Sequence, residues 1–402
     1  MANLTYTVPN KNGAYDGDMV VKEYTDVTIN AGDLVTTDQP CRGLFIYCKG
    51  NMTVNGVLSM SAKGAAANPS SSGGSDSNAV DSNGLRYGFF DGSSSDSLTM
   101  DGTTFNGCGT AVRSAIAAAG NGAGTTFKVH AIPRTASSAA ARPLVSTDGD
   151  LENPAQIRGG NGSYGSISHG GGGSGGQAYE ITNGKGGAAG NSTCFSGGSG
   201  GGGAAGGGST DSGHIGGAAN NYGGVGGVGG NHNENSSRPT GTGGAGNPGG
   251  NDGSVGVGGA NNAGDGTGGL IILVVGGNLT IGASGEIRAN GTQGGDSTWT
   301  GDNSSMGGGS GGGHVVIICK GTVTANSSTI SAGQYVGNAG STVGSAGTYG
   351  TQGYNLATWG GRGGKNADTG SDCPVQHMYT GTSLTRQGGT GGKGLISIYS
   401  AA

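Results

Sequence analysis

The stretch "GLFIYCKGNMTVNGVLSMSAKG", from Gly43 to Gly64, returns in altered form later in the chain. Its counterparts are "GLIILVVGGNLTIGASGEIRANG" from Gly269 to Gly291 and "HVVIICKGTVTANSSTISAGQ" from His314 to Gln334. A fourth copy, "GLISIYSAA", starts at Gly394 and ends with the chain. Strand-rich repeats of roughly twenty residues, punctuated by turns, are typical of stacked β architectures. The repeat therefore predicts an all-β fold, a β-solenoid-like stack of short strands.

Each full copy contains three candidate strands. After the apolar run comes an apolar–Thr–apolar triplet, which is Met52-Thr53-Val54 in the first copy and Leu279-Thr280-Ile281 in the second. An alternating segment closes each copy, and the positions that mark it are Leu58/Met60, Ile287/Ala289 and Ile330/Ala332. The segment "TDVTINAGDLVTT", Thr25 to Thr37, resembles a degenerate copy that caps the stack.

The first strand of each copy is apolar on both faces. Leu44, Ile46 and Cys48 alternate with Phe45 and Tyr47. Strands buried on both faces have this pattern, whereas half-exposed strands alternate apolar with polar residues. We therefore expect the outer face of this sheet to be covered, either by inserted segments or by another subunit.

Long insertions separate the copies, and they divide the chain into four parts. Residues 1–64 hold the N-terminal strands and the first copy, and residues 65–158 are predicted to form a small inserted subdomain. Residues 159–268 are dominated by glycine, and residues 269–402 hold the remaining copies with further glycine-rich insertions. Within the subdomain we predict a short helix at Thr110–Ala119 and a strand in "TTFKVHAIP".

Glycine accounts for 98 of the 402 residues. A flexible linker is the simplest interpretation of such a composition. However, "GGVGGVGG", Gly223 to Gly230, repeats every three residues, and the period of a polyproline-II helix is also three. Packed side by side, such helices satisfy each other's backbone N–H and C=O groups. We favour packed polyglycine-II helices, with disorder and ordered irregular loops as the alternatives.

Composition indicates which kinds of partner and which cellular compartment to expect. The net charge of −5 gives no reason to expect nucleic-acid binding, and no stretch is long and apolar enough for membrane insertion. The N-terminus lacks the pattern of a signal peptide, so we expect the protein to fold in a cytoplasm. The six cysteines have no metal-binding spacing and are expected to be reduced thiols; they are Cys41, Cys48, Cys108, Cys194, Cys319 and Cys373.

No catalytic signature stands out. The six histidines are scattered, and only "HNEN", His232 to Asn235, groups metal-ligand types, where a solvated turn is the simpler interpretation. A glycosidase needs two carboxylates across a cleft, and Asp148, Asp150 and Glu152 would share one face of a strand, but a polar loop is the better interpretation of them. We expect no enzymatic activity, no metal and no cofactor.

Aromatic side chains in or beside glycine-rich turns are the candidates for recognition. Rings on rigid loops often mark binding sites, and sugars stack on them. The alternative is that these rings cover neighbouring glycine helices. The candidate receptor-contact residues are Tyr164, Tyr179, Tyr222, Trp299, Tyr349, Tyr354 and Trp359.

The clustered GGX runs with Asn-, Ser- and Tyr-rich turns resemble the glycine-rich adhesins at the tips of phage long tail fibres. The resemblance covers roughly residues 159–268, with echoes at 307–313 and 340–394. It implies a virion protein with polyglycine-II helices whose loops contact a host-surface glycan or outer-membrane protein. Other virion proteins are the expected partners, and a homo-oligomer is expected, with a trimer favoured.

Two features depart from the adhesin pattern, namely the segment Ala65–Arg158 and the β copies that bracket the glycine tract. They keep open a second function, that of a decoration or cement protein on a capsid or tail with no receptor role. An ice-binding protein is a third class, although the loop-rich segments argue against it.

Cys48 and Cys319 occupy equivalent positions, each followed by Lys-Gly. We predict that both thiols point into the core and stay reduced. Strands that pair directly lie about 4.8 Å apart, so spacing alone leaves a bridge open, and the expected cytoplasmic folding predicts its absence. Peptide mapping under non-reducing conditions should find no Cys48–Cys319 bridge, and detection of that bridge would show the prediction to be wrong.

Overall fold

The computed structural model describes part of the chain in detail. The described residues are 4–66, 97–100, 103–106, 127–129, 171–173, 175, 186–190, 192, 195–204, 216–220, 223–230, 241–251, 253, 263–296, 306–325, 328–329, 356–357, 388, 391 and 394–401. These residues contain no helix and are rich in strands, in agreement with the predicted all-β class. The candidate helix at Thr110–Ala119 lies outside them.

The strands are short, as the spacing of turn residues predicts. In chain order they are β1 Leu4–Tyr6, β2 Val20–Tyr24, β3 Val27–Ile29, β4 Leu34–Thr37, β5 Leu44–Cys48, β6 Met52–Val54, β7 Val57–Ser59, β8 Ser97–Met100, β9 Thr103–Asn106, β10 Phe127–Val129, β11 Leu270–Val275, β12 Leu279–Ile281, β13 Glu286–Arg288, β14 His314–Cys319, β15 Val323–Ala325, β16 Ser328–Thr329, β17 Leu356–Ala357 and β18 Leu395–Ala401.

Three sheets collect one strand from each copy of the repeat. Sheet 1 has the order β10-β18-β14-β11-β5-β2, sheet 2 has β16-β15-β12-β6-β3, and sheet 3 has β1-β4-β7-β13-β17. Pairing is parallel throughout, except that β10 and β16 join their sheets antiparallel. The strands β8 and β9 form a separate antiparallel pair. Each full copy thus visits sheets 1, 2 and 3 in turn before the next copy begins, and the fourth copy adds only β18 to sheet 1.

The registers confirm the alignment of the copies. In sheet 1, Ile271 of β11 pairs with Leu44 of β5 and with Val315 of β14. In sheet 2, the threonines of the triplets align, because Thr280 pairs with both Thr53 and Thr324. The N-terminal copy predicted at Thr25–Thr37 is confirmed for β3 and β4, which pair with β6 and β7. It begins earlier than predicted, because β2 at Val20–Tyr24 pairs with β5.

One strand of the third copy was predicted wrongly. Ile330 and Ala332 were expected to close this copy, but the neighbour of β13 in sheet 3 is β17, with Ile287 paired to Leu356. The chain instead reverses after β15, so that Thr324 pairs antiparallel with Thr329. Alternation alone did not distinguish a third strand from a hairpin partner. Ile330 and Ala332 themselves lie outside the described residues.

The core lies between the three sheets and is built by stacked columns of apolar side chains. In sheet 1 one column contains Leu44, Ile271 and Val315, and the next contains Ile46, Leu273 and Ile317. Leu279 of sheet 2 and Ile287 of sheet 3 complete the same cluster. Burial of such a side chain stabilises the fold by about 1.5–3 kcal/mol relative to exposure.

The opposite face of sheet 1 is buried as well. Phe45, Ile272 and Val316 pair side by side and are 0% exposed, yet none of them belongs to the central cluster. A single copy of the chain achieves this burial. Of the two covers that the sequence allowed, the chain's own insertions are therefore sufficient.

The described cysteines are buried free thiols, as predicted for Cys48 and Cys319. Burial raises the pKa of Cys319 to about 11, so the thiol stays protonated at neutral pH. Val275 lies between Cys48 and Cys319 in the sheet, because β11 separates β5 from β14. Two strand spacings amount to about 9–10 Å, and a disulfide needs Cα atoms within about 7 Å. A bridge, left open by the sequence, is therefore excluded by the register.

A column of Asx side chains joins the copies at the turn between sheets 1 and 2. The Asp26 carboxylate accepts the backbone N–H of Asn51 at 2.8 Å. The Asn51 side-chain oxygen accepts the N–H of Asn278 at 2.8 Å, and that of Asn278 accepts the N–H of Thr322 at 2.9 Å. Each turn therefore supplies the acceptor for the turn stacked on it.

Substitution of Asn278 tests this column. Asn278→Ala removes the acceptor for Thr322 and should lower the free energy of unfolding by about 1 kcal/mol. Asn278→Asp keeps an acceptor, as Asp26 does in the first turn, and should remain within about 0.5 kcal/mol of the parent. Chemical denaturation measures both. Equal losses in the two variants would show that the side-chain oxygen contributes nothing.

The glycine-rich insertions form a second structural layer, which we call the glycine module. It comprises the described residues of 171–253, together with 263–269, 291–296, 306–313, 388, 391 and 394. Apart from an isolated bridge between Gly246 and Asp265, these segments adopt neither helix nor strand. Their backbone groups bond instead to neighbouring segments.

Segment 197–203 lies at the centre of this module and has six neighbouring segments. Three of its N–H groups bond in three directions, from Gly200 to Ala245 at 2.7 Å, from Gly201 to Gly173 at 3.0 Å and from Gly202 to Gly217 at 2.9 Å. A Cβ on each of these same glycines would collide with a carbonyl oxygen of three other segments, at Gly308, Gly187 and Val228 respectively. Six close neighbours leave no room for side chains at these positions.

Contacts recur at every third residue. Gly172 bonds to Gly190 and Gly175 to Gly187, at 3.2 and 3.0 Å. The same interval separates Gly200 from Gly203, which bond to Ala245 and Thr242 at 2.7 and 2.8 Å. In "GGVGGVGG" the period of three separates outward from inward positions, because Val225 and Val228 are 37% and 48% exposed while Gly226 and Gly227 are buried.

Alanine substitution at Gly226 and at Val225 tests whether the 223–230 segment is tightly packed or flexible. A Cβ at Gly226 would collide with the carbonyl oxygen of Gly244, so Gly226→Ala should cost about 1–3 kcal/mol. Val225→Ala alters an exposed side chain and should stay within about 0.5 kcal/mol. Thermal and chemical unfolding of both variants provide the measurement. Indistinguishable unfolding curves for the two variants would show that this stretch is a flexible tether.

Candidate recognition surface

The glycine segments run back and forth between two ends of the module. The end that adjoins the strands, which we call the proximal end, contains Gly64, Gly268 and Gly311, linked by the bonds of Gly64 to Thr267 and of Gly268 to Gly311. The distal end contains Gly203, Gly230 and Gly241. There Gly230 bonds to Gly203 at 2.7 Å and Gly241 bonds to Gly230 at 3.0 Å.

Five long connections leave the described segments on the distal side. They comprise nine to eleven residues each and span 176–185, 205–215, 231–240, 254–262 and 297–305. The described residues on both sides of each connection point away from the proximal end, because successive segments are antiparallel. The short connections 191–194 and 221–222 and the bend at Asn247-Pro248 belong to the proximal end instead. The topology thus gathers the long connections at one end.

The seven aromatic candidates lie outside the described residues, so their own contacts stay predictions. Their places along the chain nevertheless divide them into groups. Tyr179 and Trp299 belong to two of the distal connections, whereas Tyr222 directly precedes Gly223 at the proximal end. Tyr354 and Trp359 stand on either side of β17, Tyr349 precedes them in the same connection, and Tyr164 precedes the first described glycine segment.

Buried hydroxyl groups hold the glycine segments together beneath the connections. The Thr242 hydroxyl donates to the carbonyl oxygen of Gly295 at 2.7 Å and accepts the N–H of Gly307 at 2.8 Å. The Ser310 hydroxyl donates to the carbonyl oxygen of Gly266 at 3.0 Å. Since these side chains are fully buried, each hydroxyl acts as a cross-link. From the sequence, Ser and Thr between glycine runs were interpreted as turn residues. A single Ser or Thr inside a glycine run would have indicated the buried cross-link instead.

Asn247 joins the module to the strands. Its side-chain amide donates to the carbonyl oxygens of Gly64 at 2.9 Å and Gly223 at 2.7 Å, and it lies 3.3 Å from the Thr267 hydroxyl. The side chain is buried, so both bonds are sheltered from water. One residue thereby fixes the end of the first copy, the "GGVGGVGG" segment and the approach to β11.

A buried ion pair makes a second joint. Arg42 donates to both carboxylate oxygens of Asp16, at 3.1 and 3.0 Å, in a bidentate arrangement. The guanidinium carbon also lies 5.7 Å from the ring centre of Phe195, at the start of the central glycine segment. The pair connects the loop after β1, the turn before β5 and the glycine module, and so orients the module on the sheets.

The described residues include metal-ligating and titratable side chains. Within the described ranges no group of three or more His, Cys, Asp or Glu residues could hold a metal ion. Burial lowers the pKa of His314 to about 3, so the ring is neutral at neutral pH. Among the described residues no helix is long and apolar enough to cross a membrane. His232–Asn235 and the acidic group at Asp148, Asp150 and Glu152 lie outside the described residues.

Comparisons with known proteins add no relative. No protein-family model matches the chain, and neither does any curated protein or solved structure.

Proposed function

We propose that the chain is a non-enzymatic structural protein of a phage virion, and that it acts as a tail-fibre or tail-tip adhesin that recognises the host surface. The observation that carries this proposal is the gathering of five long connections at one end of a tightly packed module. Binding residues are disproportionately found on loops that a rigid scaffold positions.

We infer that the three sheets form a β-solenoid and that the glycine segments are polyglycine-II helices. Contacts at intervals of three residues support the helices, as do the six neighbours of segment 197–203. The passage of each full copy through sheets 1, 2 and 3 supports the solenoid. In this arrangement the sheets serve as the base and the distal connections as the contact surface.

Host-cell binding by the purified protein tests the recognition role. Of the aromatic candidates, Tyr179 and Trp299 belong to distal connections, and their combined replacement by alanine should weaken binding by on the order of tenfold or more, as for aromatic hot spots. The matched control is Val21→Ala, an exposed position on β2 at the far edge of sheet 1. Equal binding by the parent and the double variant would place the contact elsewhere.

Antibody labelling of intact virions distinguishes the adhesin from the alternative function. Label at a fibre end or tail tip is the expected result. Label distributed over the shell or along the tail would favour a decoration or cement protein with no receptor role.

A further inference from the structure

The segment 223–230 lies at the edge of the glycine module and has four of the six neighbours that the central segment has. Its glycines account for all four. Gly226 and Gly229 donate to Pro248 and Asn251 at 3.0 and 2.8 Å, and Gly227 donates to Gly200 at 2.8 Å. A Cβ at Gly226 or Gly227 would collide with the carbonyl oxygen of Gly244 or Gly217 respectively.

Among the described residues nothing occupies the other two neighbour positions, and Val225 and Val228 face both of them. In the central segment, Gly200, Gly201 and Gly202 each face one neighbour through the N–H and another through the Cβ position. At Val225 and Val228 the side chains are 37% and 48% exposed, and their N–H groups find no acceptor within the part of the chain that the structure describes. Their carbonyl oxygens do accept, from Asn220 and Gly217 at 2.8 and 2.7 Å.

Free N–H groups along an ordered edge are a template on which another chain can add, as at the edge of a β-sheet. A glycine segment from a second copy would suit this template, since every interior contact of the module joins two such segments. It could approach to hydrogen-bonding distance only where no side chain intervenes. At Gly226 a single Cβ would already collide with a neighbour.

We infer that Val225 and Val228 close this edge: their side chains occupy the vacant packing positions and prevent a second copy of the chain from extending the glycine lattice. This role does not depend on host recognition. It explains why the two valines, the large apolar residues of the 223–230 segment, stand at the one position in three whose N–H and side chain face no described neighbour. Natural proteins protect β-sheet edges by comparable devices.

The test compares glycine with alanine at both positions in the full chain. Val225→Gly combined with Val228→Gly removes every Cβ from the edge and should strengthen self-association by on the order of tenfold or more, through new backbone hydrogen bonds. Val225→Ala combined with Val228→Ala retains the Cβ atoms and should keep the association state of the parent. Sedimentation velocity over a wide concentration range measures the difference, and thermal melting verifies that both variants fold.

If Val225 and Val228 instead formed a hydrophobic docking face, both double variants should associate less than the parent, because both reduce the apolar surface. That result would overturn the inference. Equal association of the glycine and alanine variants would overturn it too. Hydrogen exchange gives a second readout: the amides at 225 and 228 should exchange rapidly in the parent, and should become protected in the glycine variant as it associates. Protection of these amides in the parent would contradict the proposed free edge.

Discussion

The glycine module depends on one constraint, which is that its segments approach closely enough for backbone groups to bond in several directions at once. The central segment 197–203 reaches six neighbours in this way. No residue with a Cβ fits at Gly200, Gly201 or Gly202, since carbonyl oxygens occupy the space. The high glycine content is therefore a packing requirement in this part of the molecule, although the same composition elsewhere would predict a flexible chain.

Hydrogen bonds alone do not balance the entropy of such a module. Fixing one backbone residue costs about 1–2 kcal/mol, and glycine loses more freedom than any other residue. A hydrogen bond returns about 1 kcal/mol net. The described glycine segments bury few large side chains, with Phe195 and Met306 the main examples. The module must therefore draw stability from the sheets, to which Asn247 and the Arg42–Asp16 pair connect it. The approaches to the strands show the same dependence, because Gly268 bonds to Gly311 just before β11 and β14 begin.

Much of the strand framework follows from the sequence. The apolar runs and the threonine triplets fix the register of sheets 1 and 2, because a shift by one residue would move every core side chain to the wrong face. The Ile330/Ala332 strand failed, since alternation carries no information about the direction in which a chain continues. The distance between Cys48 and Cys319 was left open by the sequence as well. It follows from the position of β11, which belongs to the second copy and pairs between the two strands that carry these cysteines. The buried roles of Thr242, Ser310 and Asn247 arise from long-range contacts that no local pattern encodes. The seven aromatic candidates stay predictions.

The alternation of glycine segments and connections determines which changes in sequence the fold can tolerate. A glycine of the module contacts backbone on several sides, so most substitutions there disturb neighbours that are distant in sequence; Gly227, for example, lies against the backbone of Gly217 and Gly202. Connections of nine to eleven residues link these segments, and added length in a connection costs little, because the entropy of loop closure grows only logarithmically. The lattice thus limits substitution more than connection length does. That combination suits a protein whose contact surface must follow a changing partner, and it is the physical reason to favour recognition over a purely structural role.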